Sequence, residues 1–349
     1  MSSTLSQQIL KSEAEDRIDA FLEPIDSLLN DGEQAVAYRL LKILQSQAKR
    51  QWVEERLRSI HQQSVPGWHF NMLNDVKRGQ VYADALSLID VRDRTVLDIG
   101  AGSGLLSMIA VRCGARHVYA CEMVQPIAEK AKEIVRQNGM ADRITIIPKS
   151  SFEARVGEEM PERAQVMVSE TLDYGFVGEG FLSSLRHAKK NLLEPDATLI
   201  PCGMKLCGVL IESSKIHYMN HVSCSQGFDV SALNEFSRSY FPVRLGTYPH
   251  RILSDIRILV EENLYAFTPE SIRRTIEFEA TENGTVHGVA FWFEVTLAPG
   301  VTLSNGLDQP ASHWTQAFST FCQPLSVKKG RSYSVELTLT EQSVNIVPL

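Results

Sequence analysis

Apolar residues recur at helical spacing in the first part of the chain, between Ile18 and Leu29 and again between Val36 and Leu44. An Asn-Asp-Gly sequence separates the two runs and breaks the helical pattern. The pattern predicts a helical hairpin that docks on the main body of the protein, and a Pro-Gly pair ends it. We therefore assign residues 1–64 to a helical N-terminal extension.

Short apolar strands alternate with helices from Thr95 onward, beginning with TVLDIG and continuing through HVYACE, ITIIP and QVMVSE. Such alternation predicts βαβ units that build a parallel sheet. Gly114 and Gly139 each follow a helical run where a C-terminal cap is expected, which supports the phase of the assignment. The sequence thus predicts an α/β domain over residues 65–198.

Strand-like segments without intervening helices fill residues 199–349, and one of them is broken by an Asn-Gly turn. This pattern predicts a mostly antiparallel β domain. Residues 231–250 read as neither clean strand nor core helix, but they contain Phe236, Tyr240 and Phe241. Exposed aromatic side chains on such an excursion predict a contact arm.

Composition narrows the class of protein. The chain has 349 residues, 44% of them hydrophobic, which is enough to bury a core over two domains. Its 35 basic and 42 acidic residues give a net charge of −7, which argues against direct nucleic-acid binding and is compatible with cationic partners. No apolar run reaches the length of a membrane span, and no CxxC pair or other metal-ligand spacing occurs. We expect a soluble cytoplasmic protein, with the nucleus as a further location, that binds neither a membrane nor a metal.

A glycine-rich loop follows the first strand of the α/β domain. VLDIGAGSG places Gly100, Gly102 and Gly104 between a strand and a helix, where absent side chains let a ligand approach the backbone. Glu122 ends the next strand, where an acid meets ribose hydroxyls in doubly wound folds. The loop reads GxGxG after an acid, Asp98, whereas dinucleotide sites read GxGxxG. This spacing weakens the alternative of a nicotinamide oxidoreductase.

The segment SETLDYGFVGEG, residues 169–180, contains Glu170, Asp173 and Glu179 but no basic residue to pair with them. Glu170 ends a predicted strand at the carboxyl edge of the sheet, where ligands bind in this fold class. Glycines later in the segment allow the chain to double back. The arrangement predicts a site that receives a cation from outside the segment.

Five stretches taken together resemble the ordered motif set of the protein arginine methyltransferases: MLNDVKR, VLDIGAGSGLLSM, VYACE, SETLDYGFVGEG and SHWTQ. The resemblance runs from Trp68 to the C-terminus. It is closest to members that make monomethylarginine or symmetric dimethylarginine, and to the member with N-terminal TPR repeats in particular. It implies a class I, Rossmann-like methyltransferase sheet followed by an antiparallel β-barrel domain.

The resemblance also implies the cofactor S-adenosyl-L-methionine. Arg78 would pair with the cofactor's carboxylate, Glu122 would hold its ribose, and Glu153 would accept from its adenine amino group. The full set of predicted cofactor-binding residues is His69, Arg78, Gly100, Gly102, Gly104, Glu122, Phe152 and Glu153.

Two glutamates suit methyl transfer to arginine, because the guanidinium stays protonated in water and must be bound while one nitrogen is made nucleophilic. Glu170 and Glu179 would grip it from two sides. By the same resemblance His313 would relay a proton or hold an acid in place, and Trp314 would form an aromatic wall beside the guanidinium. A tryptophan at a strand start is otherwise more often a core residue.

Three further residues bear on the methylated product. Asp173 would touch the substrate or orient Glu170, with helix capping as the alternative. Phe181 would restrict re-entry of a monomethylated arginine, whereas Met72 keeps the methionine of the asymmetric-dimethylating members. Those members also have a YFxxY helix where this chain has Pro66-Gly67. We favour mono- or symmetric methylation, and asymmetric dimethylation is the alternative.

The expected partners are an arginine-containing protein or peptide and a second copy of the chain, in a homodimer formed by the arm at residues 231–250. Two other functions compete with this interpretation. One is a methyltransferase for a small molecule, because the cofactor loop does not name a substrate. The other is a noncatalytic module that binds arginine-rich peptides.

Overall fold

The structure, a computed structural model, describes residues 18–47, 50–268, 271–309 and 312–349. It consists of an N-terminal group of helices, a parallel sheet flanked by helices, and a C-terminal part built of antiparallel sheets. No helix in these ranges is long and apolar enough to cross a membrane.

Within the described residues, three helices follow Phe21 in the N-terminal group: α1 (Leu22–Asn30), α2 (Gln34–Gln47) and α3 (Gln51–Ser64). The predicted hairpin is thus corrected by a further helix, and residues 1–17 of the predicted extension lie outside the described residues. The unit buries an apolar cluster of its own, formed by Ile18, Ile25, Ala37, Tyr38, Leu41, Leu44, Val53, Leu57 and Ile60. The Tyr38 hydroxyl donates to Glu129 Oε2 at 2.8 Å, and this bond joins the unit to the main body.

Five parallel strands form the central sheet in the order β3-β2-β1-β4-β5. Their bounds are β1 (Thr95–Ile99), β2 (His117–Cys121), β3 (Ile144–Ile147), β4 (Ala164–Ser169) and β5 (Leu193–Ile200). Because β2 and β4 lie on opposite sides of β1, the crevice where ligands bind in such sheets opens at the carboxyl end of β1. Strand β5 runs to Ile200, two residues beyond the predicted domain boundary.

The helices around this sheet are α4 (Trp68–Leu73), α5 (Val76–Leu88), α6 (Leu105–Arg112), α7 (Gln125–Gln137) and α8 (Phe181–Asn191). Gly114 follows α6 with φ +105° and Gly139 follows α7 with φ +68°, both in the left-handed region that glycine tolerates. Their predicted positions at helix C-termini are confirmed.

The C-terminal part contains a seven-stranded and a three-stranded antiparallel sheet. The larger has the order β10-β6-β13-β15-β9, with β11 paired to β6 and β14 to β13; the smaller has the order β12-β16-β17. The strands are β6 (Gly203–Glu212), β7 (Cys224–Ser225), β8 (Phe228–Asp229), β9 (Phe241–Val243), β10 (Arg251–Ile252), β11 (Arg257–Asn263), β12 (Ser271–Glu279), β13 (Gly284–Ala298), β14 (Val301–Ser304), β15 (Gln316–Val327), β16 (Ser332–Thr340) and β17 (Val344–Pro348). These sheets occupy the place of the antiparallel β-barrel domain that the resemblance implies.

Side chains of β6 and β13 alternate between two faces of the larger sheet. Leu206 and Phe293 point into the main core, whereas Cys207 and Trp292 belong to a second apolar cluster on the other face. Ile216 and Phe241 join this second cluster from the segment that connects β6 to β10. The segment is therefore fastened to the sheet at both of its ends.

The predicted arm begins earlier than residue 231. After β6 the chain forms the short helix α9 (Ser214–His217), the β7–β8 hairpin and a 3₁₀ helix (Ser231–Phe236). Its exposed apolar side chains are Tyr218, Met219, Phe228, Leu233 and Phe236. Tyr240 and Phe241 are buried, so the expectation that they are exposed contact residues was wrong. They pack at the base of the arm, which we define as residues 213–240.

Candidate active site

The glycine loop and the acidic segment meet at the carboxyl edge of the parallel sheet, because β1 and β4 are neighbours in parallel register. Gly100 has φ +74°, and a Cβ atom added there would lie 2.3 Å from Thr171 Cγ2. Thr171 directly follows Glu170, so any larger side chain at position 100 would push the acidic segment out of place. Gly104 caps α6 in the left-handed conformation, which directs the N-terminus of this helix at the same edge.

Glu122 is bound into the loop by backbone donors. Its Oε2 accepts from Gly102 N at 2.9 Å and its Oε1 accepts from Val124 N at 2.8 Å. Burial raises the pKa of Glu122, and these two bonds and the charge of His69 oppose the rise. The loop and the acid predicted to hold the ribose thus form one unit.

Asp98 lies beneath the loop, fully buried in β1. Its Oδ2 accepts from Ser107 Oγ at 2.6 Å, while its Oδ1 has no hydrogen-bond partner among the described residues. Burial raises the pKa of Asp98 to about 6, and the bond from Ser107 opposes this.

Phe152 and Glu153 lie after β3, on the same edge as Glu122. The Phe152 ring is half exposed and lies 5.0 Å from the ring of His187, and Glu153 Oε2 accepts from Ser150 N at 3.3 Å. Met123, which follows Glu122, is 71% exposed. Apolar side chains with this placement suit the flat face of an adenine, and Met123 was not predicted because it lies one residue beyond the VYACE motif.

Helix α4 carries His69 and Met72, and none of its side chains is buried. The His69 ring stacks on Trp68 with centroids 3.9 Å apart, and its Nδ1 lies 3.0 Å from Pro66 O. The charge of His69 acts on Glu122, which places α4 beside the cofactor edge.

Arg78 and Glu170 form a buried ion pair between Arg78 Nη2 and Glu170 Oε2, with both side chains almost fully covered. Glu170 therefore has a cationic partner, and this partner comes from outside the acidic segment. Burial raises the pKa of Glu170, and the charge and hydrogen bond of Arg78 oppose this. Arg78 Nε is buried and has no partner among the described residues, so one N–H donor of the guanidinium is unused.

His313 positions this pair indirectly. Its backbone N–H donates to Asp75 Oδ2 at 3.0 Å and its ring Nδ1 lies 2.9 Å from the same oxygen. Asp75 Oδ1 accepts from Arg78 N at 3.0 Å and caps α5. The acid that His313 holds is thus Asp75 and not one of the two glutamates. Burial lowers the pKa of His313, and the bond to Asp75 opposes the change.

Glu179 differs from Glu170. Its side chain is exposed, and no cation among the described residues forms an ion pair with it. The pKa of Glu179 is raised to about 7 by partial removal from water and then by the negative charges of Glu170 and Asp173. The loop therefore presents one carboxylate that is already paired and one that lacks a partner.

Bonds from the C-terminal sheets hold the acidic loop in place. Asn305 is fully buried; its Nδ2 donates to Tyr174 O at 3.1 Å and to Thr315 O at 2.7 Å, and its Oδ1 accepts from Phe293 N at 2.8 Å. Trp314 Nε1 donates to Leu172 O at 2.8 Å. The loop is thus shaped by the second domain.

Three predicted substrate residues have other roles. Asp173 accepts from Gly175 N, Gly178 N and the Tyr240 hydroxyl at 2.9–3.1 Å, so its oxygens shape the loop. Phe181 is fully buried in the core, with its ring 5.4 Å from that of Phe176, and does not form a substrate wall. Trp314 is 6% exposed and packs on Phe293 and His313. Its core placement matches the simpler alternative, and its indole N–H supports the loop.

A groove of about 680 Å³ opens beside the ion pair, between the start of α5 and the larger sheet. Asp75 and Arg78 line it together with Trp292, Glu294 and Asp308. The described residues contain no group of three or more His, Cys, Asp or Glu side chains able to hold a metal ion.

Asp75, Tyr240 and Asn305 were missed by sequence reasoning. Asp75 had a signal, since an aspartate directly before a helical run is a common N-cap. Asn305 and Tyr240 act across the two domains, at separations of 131 and 67 residues from their partners in the loop. Such pairings leave no local pattern in a single sequence.

Comparison with known proteins gives this geometry a context. A profile described as the arginine methyltransferase oligomerization subdomain matches residues 205–347, and one described as ribosomal protein L11 methyltransferase matches residues 81–205. An arginine N(omega)-methyltransferase of Streptomyces achromogenes subsp. streptozoticus is 41% identical over 288 residues, which cover 82% of this chain and 80% of the relative. The chain belongs to the protein arginine methyltransferase family.

Other members of the arginine methyltransferase family agree with this assignment. Protein arginine N-methyltransferase 9 of Xenopus laevis is 38% identical over 194 residues, which cover 52% of this chain and 23% of that larger protein. The PRMT1 enzyme–prozyme heterotetrameric complex of Trypanosoma brucei with AdoHcy contains a chain with TM-score 0.70 and 26% identity, covering 80% of this chain and 91% of its own. Protein arginine methyltransferase 10 of Arabidopsis thaliana, at 21% identity and TM-score 0.63, shares the fold over 77% of this chain and 86% of its own.

S-adenosylmethionine is the methyl donor of this arginine methyltransferase, and the residues present fit it. The unpartnered Nε of Arg78 suits its carboxylate, Gly100 and Gly102 leave the backbone open to its amino-acid part, and Glu122 is placed for its ribose. When bound, it supplies an electrophilic methyl group on a sulfonium. The chain itself supplies the two carboxylates and the cation that orients one of them.

Proposed function

We propose that this enzyme methylates a guanidino nitrogen of arginine in proteins or peptides and yields monomethylarginine or symmetric dimethylarginine. One observation carries the proposal: a single rigid loop presents Glu170, already oriented by a buried arginine, and Glu179, which lacks a cation. A guanidinium that enters the loop supplies the cation that Glu179 lacks, and its planar fork of N–H donors matches two carboxylates.

The two glutamates have different roles in this proposal. Arg78 binds one oxygen of Glu170 and the backbone N–H of Leu172 also donates to this carboxylate, so its orientation is set before a guanidinium arrives. Glu179 draws positive charge toward the nitrogens it binds and leaves the remaining nitrogen more nucleophilic. A pKa of about 7 for Glu179 also suits a group that takes up the proton the methylated nitrogen releases. Alignment of this kind contributes on the order of 7 to 11 kcal/mol to the barrier reduction.

The region before α4 supports the proposed product class. Helix α3 ends at Ser64 and α4 begins at Trp68, with Pro66-Gly67 between them. The resemblance implies a YFxxY helix at this place in asymmetric-dimethylating members, and Pro66-Gly67 interrupts the helical path here. Phe181 no longer contributes to this argument, because it lies in the core.

Methylation of free arginine is the second candidate. The relative from Streptomyces achromogenes subsp. streptozoticus is named an arginine N(omega)-methyltransferase, without reference to protein. The groove beside Asp75 and Arg78 favours a longer substrate, since its volume of about 680 Å³ gives room for residues that flank a target arginine.

A homodimer is also part of the proposal. The match to an oligomerization subdomain covers the whole arm, and the arm exposes Phe228, Leu233 and Phe236. Side chains of this size are common in the buried centre of protein interfaces. Sedimentation velocity at micromolar concentration is expected to show a dimer, and a fully active monomer would refute it.

One experiment tests the reaction. Methyl-labelled S-adenosylmethionine is incubated with an arginine-rich peptide and, in parallel, with free L-arginine, for the wild type and for Glu170→Gln and Glu179→Gln. Glu158→Gln is the matched control, because Glu158 lies in an exposed ion pair with Arg155. We expect label in the peptide for the wild type and control, and a loss of about 10²–10³-fold in both loop variants. Acid hydrolysis then identifies the methylarginine.

Each outcome separates the alternatives. Label in L-arginine and not in the peptide selects the second candidate. Predominantly asymmetric dimethylarginine would refute the product class but keep the activity. Equal incorporation by the loop variants and the wild type would refute the role of the glutamates, and binding of the peptide without any transfer would indicate a noncatalytic module.

A further inference from the structure

Three histidines meet where the arm joins the larger sheet, outside the active site. His217 ends α9, His221 follows it in the arm, and His287 lies on β13. The ring centroid of His217 is 4.5 Å from that of His221, with the planes 32° apart, and 5.5 Å from that of His287. We call these three residues the histidine cluster.

The cluster contains unsatisfied nitrogen atoms. The Nδ1 atoms of His217, His221 and His287 are all buried and have no hydrogen-bond partner among the described residues. His217 is itself 4% exposed, and the Nε2 of His221 lies 3.3 Å from Asn234 Nδ2. Neutral rings tolerate this environment, whereas a protonated ring would need an acceptor for its new N–H.

Among the described residues, no carboxylate acts on the pKa of His217. Glu212, at the end of β6, is bound by Arg251 and by Thr285 N. Lys215 on α9 lies 5.9 Å from the ring centroid of Tyr248, and Glu235 in the 3₁₀ helix is exposed. The titratable groups that act on His217 are therefore the other two rings of the cluster.

We propose that the histidine cluster is a proton-sensitive latch, which fastens the root of the arm to β13 at neutral pH and releases it on acidification. Neutral, the three rings pack against one another across the junction between α9 and β13. Protonation of His217 places a charge in this buried junction between two other rings, which disfavours the closed junction.

The direction of the effect follows from linkage. Burial and then the ring of His221 lower the pKa of His217 in the closed arm, so the closed arm binds fewer protons than the open arm. Closure is therefore complete above the ordinary histidine pKa of about 6.5 and weakens as the pH falls through that value. If one ring stays neutral in the closed arm but titrates with its ordinary pKa in the open arm, the ratio of closed to open arms falls by about tenfold between neutral pH and pH 5.5.

Hydrogen exchange of the full-length protein at pH 7.5 and pH 5.5, corrected for the intrinsic rates, tests the latch. Chelator in all buffers prevents a metal ion from bridging the rings. We expect the protection of the amides at residues 214–222 to fall by up to about tenfold at pH 5.5, while the amides of β1 and β4 keep theirs. The sheet amides report global acid unfolding, and sedimentation velocity at each pH separates a change in oligomeric state from a change in the arm.

The variants are His217→Gln and His217→Phe, with His117→Gln on β2 as the matched control. In whichever His217 variant keeps the arm protected at pH 7.5, we expect the same protection at pH 5.5, whereas the control behaves as the wild type. If neither variant keeps the arm protected at pH 7.5, the dependence of wild-type amide protection on pH decides. A single midpoint below pH 6.5 in that dependence supports the latch. Protection of the wild-type arm that does not change with pH, or an equal loss in the His217 variants, would overturn it. Neither result depends on methyltransferase activity.

Discussion

The acidic loop at residues 170–180 and the arm at residues 213–240 are both excursions from a sheet, but their side chains are used in opposite ways. Asn305, Trp314 and Tyr240 bind the loop through polar atoms from the second domain. The arm packs on the larger sheet near its base and exposes Phe228 and Phe236. The loop that carries the two carboxylates is supported by residues of its own chain. The arm instead exposes apolar side chains that could contact another chain.

The largest effect is expected just after the loop, where Phe181 begins α8. Phe181→Ala should lower the free energy of unfolding by about 3–5 kcal/mol, because it leaves a cavity beside Phe176 in a fully buried site. Urea denaturation measures this change. A small loss of stability with an altered product ratio would instead restore Phe181 as a substrate contact.

Asn305→Ala tests the polar support of the loop. It removes three hydrogen bonds and leaves buried backbone groups unpaired, so we expect a loss of about 1–3 kcal/mol in unfolding free energy and a lower kcat. Thermal denaturation and labelled methyl transfer measure the two quantities. Asn345→Ala, at an exposed position of β17, is the control. Unchanged kcat in a destabilised Asn305 variant would mean that the loop keeps its shape without this support.

The arm should respond in association and not in folding. Phe228→Ser combined with Phe236→Ser is expected to weaken the proposed homodimer by about 10- to 100-fold in Kd, since large apolar side chains dominate such interfaces. Unfolding of the monomer should be almost unaffected, because both side chains are exposed. Analytical ultracentrifugation over a dilution series measures the Kd. A variant that dimerises as well as the wild type would place the interface elsewhere.

The smallest expected effect concerns Glu179, the carboxylate of the loop that lacks a cationic partner. Because the pKa of Glu179 is raised to about 7, this carboxyl binds a proton below that pH and no longer attracts a guanidinium. We expect kcat/KM to fall up to about tenfold per pH unit below pH 7, and Glu179→Gln to remove this limb. Measurement of kcat/KM from pH 5.5 to 8.5 for the wild type and Glu179→Gln tests this expectation. The limb should persist in His217→Gln, since the histidine cluster lies outside the site.

Much of this architecture was open to sequence reasoning because it depends on local patterns. The alternation of apolar strands and helices gave the parallel sheet, and the glycines at 100, 102 and 104 marked the cofactor edge. The pairing of Arg78 with Glu170 was not foreseen, since the two lie 92 residues apart and each was assigned to a different ligand. The same limit applies to Tyr240, which was expected to be exposed and instead binds Asp173.

Residue type alone also misled where burial decided the role. Phe181 and Trp314 have the size and chemistry of side chains that line a substrate site, but both are buried among the residues of the main core. Helix α3 lies inside the predicted helical extension but was not predicted as a separate helix, because its polar side chains outnumber its apolar ones and the buried stripe of Val53, Leu57 and Ile60 is thin.

The separate apolar cluster of helices α1–α3 has a thermodynamic consequence. Its members and those of the main core form two distinct sets, so melting of one does not require melting of the other. Differential scanning calorimetry should resolve two heat-absorption peaks, with a calorimetric enthalpy larger than the van't Hoff value. Tyr38→Phe, which deletes the bond to Glu129, should draw these peaks further apart and leave the area under the second one unchanged.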